Sequence, residues 1–209
     1  MDALFRKEGE FPDWETLYNT EPVQTLPWFT LEPDLDLVCT LKEHHISSGT
    51  FLDLGTGPGT QAVWLAKQGF QVTGSDLSLS AIAAAEHYAR SQGVCVALVE
   101  DDILASSLEG PFDYIFDRGC FHVLPPEARA VYVQTAFRLL NPQGRLLLKC
   151  FHVKETGMQG GPHRFSTELI RSTFSSHFEL LTSHETHFEG TRSPNPLALF
   201  NILQPRNAK

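Results

Sequence analysis

Between residues 51 and 153, short apolar runs alternate with segments whose apolar positions recur at helical spacing. FLDL (51–54), QVTGSD (71–76), VCVALVED (94–101), PFDYIFD (111–117) and RLLLKCFHV (145–153) predict strands. TQAVWLAKQG (60–69), SLSAIAAAEHYARSQG (78–93) and PPEARAVYVQTAFRLLNPQG (125–144) predict helices. Ser78 can cap the second helix, and Gly69 and Gly93 can stop the first two. The strands do not alternate cleanly between apolar and polar positions, which is the pattern of a sheet covered on both faces. Strand and helix taking turns at this spacing predict an open α/β sheet.

The flanks follow other rules. Residues 1–30 mix Trp14, Tyr18, Trp28 and Phe29 with prolines, and Asp13 can cap a short helix carrying Trp14, Leu17 and Tyr18. A further helix is expected after Pro33, with Leu35, Val38, Cys39 and Leu41 or Lys42 as its apolar stripe. Past the fifth strand come a glycine-containing loop (152–164), a helix with Ser166 as cap (166–178), an edge-like strand (179–190) and a last strand (196–205). The final two predict an antiparallel hairpin at one sheet edge, followed by a frayed PRNAK tail.

Composition narrows the function. At 209 residues, with 42% hydrophobic and 20% charged residues, one folded core is expected rather than disorder. The formal net charge of −9 argues against a phosphate-tracking surface, so no nucleic acid is expected. Four cysteines without a C-x-x-C pair give no metal-site spacing, and no metal is expected. Cys39, Cys95 and Cys150 read as buried thiols. With no apolar leader core and no long apolar run, a cytoplasmic protein without membrane contact is expected, as a monomer or weak homodimer.

The strongest local signal is FLDLGTGPGT at 51–60, an apolar strand, a glycine-rich turn and the opening of a helix. Glycines there let the backbone turn tightly and approach a ligand. A dinucleotide fingerprint needs a third glycine where Thr60 stands, and a phosphate-cradling loop needs a lysine that is absent. The segment resembles the first motif of the class I S-adenosylmethionine-dependent methyltransferases, whose donor carries no phosphate. That resemblance implies a Rossmann-like, seven-stranded, mostly parallel sheet flanked by helices, with the antiparallel C-terminal edge hairpin. It implies one methyltransferase domain over 1–209: an aromatic cap segment (1–45), a cofactor-binding core (50–153) and a substrate-side part (154–205). The implied cofactor is S-adenosyl-L-methionine, with S-adenosyl-L-homocysteine as product. By the same resemblance Gly55, Gly57 and Gly59 pass beneath the cofactor, and Asp53 helps to place its ammonium group.

Asp76 ends the second strand, where a carboxylate can accept both hydroxyls of a ribose. After the third strand the family places an acid for the adenine amino group and then an apolar cover for the ring. Asp102 and Ile103 fit this best, with Asp101 as the rival acid. Leu77 and Ser78 are expected beside the adenosine, and Trp28 with Phe29 over the methionine end.

The fourth strand runs into Asp117-Arg118-Gly119-Cys120-Phe121-His122, at the sheet end where open α/β folds bind ligands. The Asn/Asp-Pro-Pro-Tyr/Phe signature of amino methyltransferases is absent there. FDYIFDRGCFHVLPPEARAVYV, the spaced Trp14, Tyr18, Pro27 and Trp28, and the late GGPHRFSTELIRSTFSSHFEL resemble the thiopurine and thiol methyltransferase-like branch. That implies direct in-line transfer to a small nucleophile, first of all a thiol or thiopurine-like compound. A protein lysine, another amine, or a phenol is the alternative acceptor, and a catalytically inactive binding module the alternative function. Asp117, Arg118 and His122 are the expected catalytic residues, with Asp117 also against the cofactor and His122 as proton acceptor. Arg118 or Arg164 could hold an acceptor carboxylate; Trp14, Trp28 and Phe121 could enclose the reacting sulfur. Cys120, His152 and His163 are further substrate-side candidates.

Overall fold

The computed structural model describes residues 11–157 and 160–206; the first ten residues, 158–159 and 207–209 lie outside the described residues. Two short helices come first, α1 (Trp14–Thr20) and α2 (Leu35–Glu43). The core follows as β1 (Thr50–Leu54), α3 (Thr60–Lys67), β2 (Gln71–Asp76), α4 (Leu79–Ser91), β3 (Ala97–Glu100), β4 (Phe112–Arg118), α5 (Arg129–Leu139) and β5 (Leu140–His152). The chain closes with β6 (Arg164–Phe165), α6 (Thr167–Phe174), β7 (Phe178–His187) and β8 (Leu197–Pro205).

Short polar side chains start these helices. Asp13 accepts from the Thr16 N–H, Asp34 from those of Asp36 and Leu37, Ser78 from Ala81 and Ser166 from Leu169. The strands lie in the order β3-β2-β1-β4-β5-β8-β7, with β6 beside β5. Pairing is parallel from β3 to β5 and antiparallel from β5 through β8 to β7, the expected mixed sheet with its C-terminal hairpin. Neighbours along a strand go to opposite cores: Leu52, Ile115 and Leu146 pack on one face, Phe51, Phe116 and Leu147 on the other. Both faces are therefore dry, which is why the strand sequences are continuously apolar. The order reverses between β1 and β4, so a crevice opens at their carboxyl ends.

Several local expectations are corrected. The face of α2 that meets the sheet is Leu37, Thr40 and Leu41, while Leu35 and Cys39 are exposed. Cys95 is also exposed, because β3 begins only at Ala97 and is the sheet edge. The NPQG segment expected to end the fifth helix already belongs to β5, which begins at Leu140 with a register shift against β4. Asn141 Nδ2 donates to Asp113 Oδ1 at 2.7 Å, tying that irregular start to the neighbouring strand. The expected loop at 152–164 runs into β6. The start of the tail is held, since the Arg206 N–H donates to His177 O and its Nε to Phe178 O. Among the described residues no helix is long and apolar enough to cross a membrane.

Candidate active site

The glycine turn after β1 is held from two sides. Asp53, 2% exposed, accepts from Thr56 Oγ1 (2.6 Å) and the Ala62 N–H (3.1 Å) with one oxygen. Burial pushes its carboxyl up to about 6 despite these bonds. Asp76 accepts from the Gly57 N–H (2.9 Å) with one oxygen and from the Ser78 N–H (3.0 Å) with the other. Burial raises it as well. Gly57 has φ +52°, and a Cβ there would stand 2.9 Å from the Tyr18 hydroxyl, so a side chain would collide with the crevice wall.

Gly59 does something else. It has φ +85° at the start of α3, and a Cβ would lie 2.9 Å from Ala85 Cβ on α4. It lets two helices approach and is not among the crevice-lining residues, unlike Gly55 and Gly57. Its visible role is in packing α3 against α4.

Asp76, Leu77, Asp101, Asp102 and Ile103 line one end of the crevice. Ser78 is fully buried as the cap of α4. Asp102 accepts from the Leu104 N–H (2.9 Å). Asp101 accepts from the Ser107 N–H with Oδ1, while its Oδ2 is buried without a partner among the described residues. Ser75 Oγ, on the same wall, is also buried without a partner among the described residues.

The turn after β4 separates residues that the sequence grouped together. Asp117 is fully buried and outside the crevice lining. It accepts from the Gly119, Cys120 and Phe121 N–H groups (2.9, 2.7 and 2.9 Å) and from the Tyr132 hydroxyl (2.6 Å). Its expected catalytic and cofactor contacts are corrected: it shapes the turn. Phe121 points into the core against Tyr132, Phe165 and Phe174 rather than over a substrate. His152 accepts from the Lys154 N–H, Arg164 donates to Glu155 O and Gly160 O, and neither lines the crevice; nor does His163. Arg118 and Cys120 do line it; burial pushes the Cys120 thiol well up, so it stays protonated.

His122 is 6% exposed, lines the crevice and packs on Phe151 and Phe188 with ring centres 4.9 and 5.4 Å away. Its Nδ1 is buried without a partner among the described residues. Burial, reinforced by the positive charge of Arg118, pushes the imidazole down to about 3, so the ring is neutral at physiological pH. Arg192, in the loop between β7 and β8, reaches the same wall with a buried Nε that has no partner among the described residues.

Trp14, Tyr18, Trp28 and Phe29 form the remaining wall. Trp14 meets Trp28 edge-on at 5.8 Å, and Trp28 Nε1 donates to the Tyr18 hydroxyl at 3.1 Å. Glu15 fastens α1 to the start of α4, accepting from Ser78 Oγ, the Ser80 N–H and Ser80 Oγ. These bonds, from Ser78 foremost, hold its carboxyl down at about 2. Sequence reasoning missed Ser75, Glu15 and Arg192. Only Glu15 left a signal, an acid in the first turn of an aromatic helix.

The thiopurine S-methyltransferase family matches residues 13–195. A thiopurine S-methyltransferase of Legionella pneumophila is 29% identical over 189 residues, covering 82% of this chain and 83% of that protein. The human EEF1A lysine methyltransferase 2 is 33% identical over 211 residues, covering 91% of this chain and 84% of that protein. A solved structure from work on the conversion of a disulfide bond into a thioacetal group during echinomycin biosynthesis superimposes with a TM-score of 0.81. It is 22% identical and covers 93% of each chain.

Proposed function

Since the chain belongs to the thiopurine S-methyltransferase family and is an S-adenosylmethionine-dependent enzyme, we propose that it methylates a small aromatic thiol or thiopurine-like acceptor. The observation that carries this reading is where buried polar atoms without a partner among the described residues fall in the crevice. Ser75 Oγ and Asp101 Oδ2 stand with Asp76 at one end; His122 Nδ1 and Arg192 Nε stand on walls shared with Phe151 and Phe188. Buried polar atoms without partners are costly, and a ligand is what satisfies them. The residues present therefore fit the adenosine part of the donor at one end and a polar aromatic acceptor at the other.

S-adenosylmethionine, when bound, supplies a methyl group already activated by its sulfonium charge. Asp76 offers carboxylate oxygens to the ribose hydroxyls. Asp101 is favoured over the expected Asp102 as acceptor for the adenine amino group, because Asp101 is buried with an Oδ2 that has no partner among the described residues, whereas Asp102 is exposed to water. Asp53 gives negative charge near the ammonium end, and Trp14 and Trp28 exclude water. On the acceptor side, Arg192 favours an anion and His122 contributes a neutral hydrogen-bonding ring. An imidazole held at about 3 is a poor proton acceptor, so His122 is not the base that a phenol would need. A thiol that enters as its thiolate needs none.

Mass spectrometry after incubation with thiophenol, 4-mercaptobenzoate, 6-thiopurine and a lysine peptide tests the reading. S-methylated products are expected. Methylation of the lysine peptide alone would overturn it and favour the function named for the human relative, although a cationic Arg192 repels a lysine. Donor binding without any methylated product would favour the inactive-module alternative. Arg192→Met is expected to raise the KM for 4-mercaptobenzoate about tenfold or more, as loss of a charge-assisted contact does, with S-adenosylhomocysteine affinity unchanged by calorimetry.

The donor should also bind with a defined pH dependence. Asp53 titrates near 6 in the free protein, and only its ionised form attracts the cationic donor. Donor affinity is expected to rise with pH through that value and to fall about tenfold from pH 7 to pH 5. Calorimetry in the two buffers reads it, and Asp53→Asn should flatten the difference. The four free cysteines support a reducing, cytoplasmic setting, and the charge of −9 supports the exclusion of nucleic acid.

A further inference from the structure

Arg118 stands at the end of β4 with its side chain 8% exposed. The sequence offered it as an anion clamp for the acceptor, but its donors are engaged elsewhere. Nε donates to Asp34 Oδ2 at the start of α2 (2.8 Å), Nη1 to Trp28 O (3.2 Å) and Nη2 to Glu189 O. One guanidinium thus joins the segment that carries Trp28 to the loop that carries Phe188 and Arg192. The two also touch directly. The Thr191 N–H donates to Pro27 O at 3.2 Å, and Thr191 Oγ1 to Leu26 O at 3.3 Å. A Cβ on Gly190 would lie 2.2 Å from Pro27 O, so only a glycine permits this approach.

We propose that Arg118 is a positioning residue that couples the two halves of the crevice, so that ordering of the Trp28 segment by the donor also orders the 188–192 loop that receives the acceptor. The inference rests on the methyl-donor reading given above. Trp28 lines the crevice, and whatever fixes its backbone fixes the carbonyl that Arg118 holds. The same planar fork fixes Glu189, which precedes Arg192 by one short turn. Coupling of this kind is reciprocal: a bound donor raises acceptor affinity, and a bound acceptor raises donor affinity by the same factor.

Hydrogen exchange of the full chain, with S-adenosylhomocysteine as the probe, tests this. In the wild type the probe should slow exchange in 26–30 and, by about tenfold, in 188–192. In Arg118→Met the first effect should persist and the second should shrink severalfold, the direct Thr191 bonds to Leu26 and Pro27 carrying what is left. That variant leaves Asp34 paired with Lys149 at 2.7 Å, so no buried carboxylate loses its last cation. Arg118→Lys keeps a charge but not the fork; it should show the same loss, and it carries the test if the methionine variant does not fold. A wild-type loop that ignores the probe, or one that responds equally in both variants, would overturn the proposal. Absence of protection at 26–30 and 55–57 in the wild type would instead overturn the donor reading beneath it.

Discussion

Lys149→Met is expected to lower stability by about 3–5 kcal/mol, and the melting temperature by about 6–20 °C. The ammonium is fully buried towards the carboxyl end of β5, 2.7 Å from Asp34, 2.7 Å from Asp36 and 3.0 Å from Glu189. Burial alone would lower its affinity for a proton, but the carboxylates of Asp34 and Asp36 raise it above the ordinary 10.5. Burial would likewise raise Asp34, but Lys149 and then Arg118 bring it below 3.8. Removing the lysine leaves three acids around one remaining guanidinium, and an uncompensated buried charge is what makes such losses large. The signs fix the pH window. Stability gained through Lys149 is complete below pH 10.5 and is lost as pH rises beyond it; that gained through Asp34 is complete above pH 3.8 and is lost on acidification. The difference between wild type and variant should therefore be level from about pH 5 to pH 9 and shrink at both extremes. Denaturant melts across that range check it, and a loss below about 1 kcal/mol would contradict the network's role.

That lysine marks the boundary of what the sequence reveals. LLLKCF reads as a strand because five of its residues are apolar, and it is one. A charge inside such a run must find opposite charges, yet Asp34, Asp36 and Glu189 come from the start of α2 and the loop after β7. No local rule pairs residues across those distances. The β1–α4 core was legible because its signals are local: glycines end the strands and helices, and Ser78 caps α4. The residues proposed for the donor side stood out as candidates for the same reason, since Asp53, Asp76 and Asp101 or Asp102 all lie at or beside strand ends. Those proposed for the acceptor side did not. Arg192 stands in a polar, largely exposed turn whose place is set by contact of Gly190 and Thr191 with Pro27, and the choice between Asp101 and Asp102 turns on which of two adjacent acids is buried. Leu35 was misplaced because the stripe of a nine-residue helix fits two adjacent faces, and packing against the sheet chose Leu37 and Leu41.

Asp117→Ala is expected to cost about 3–5 kcal/mol and to abolish methyl transfer, although Asp117 does not line the crevice. Three backbone N–H groups and the Tyr132 hydroxyl converge on this one carboxylate. Without it they are left buried and unpartnered, at about 1–3 kcal/mol for each before relaxation. The turn they hold carries Arg118 on one side and His122 on the other, so its loosening disorders both. Burial pushes the Asp117 carboxyl up to about 6, while Tyr132 and the turn amides pull it down, so the site tolerates a neutral group of the same shape better than no group at all. Asp117→Asn separates the two roles that the position could have. A positioning acid predicts a lower melting temperature, with kcat of the folded protein within about tenfold of the wild type. A group that moves the reacting proton predicts an unchanged melting temperature and a kcat lower by about 10²–10⁴. The four short bonds to the turn and to Tyr132 make the first outcome the expected one, and thermal melts read beside single-turnover rates distinguish them.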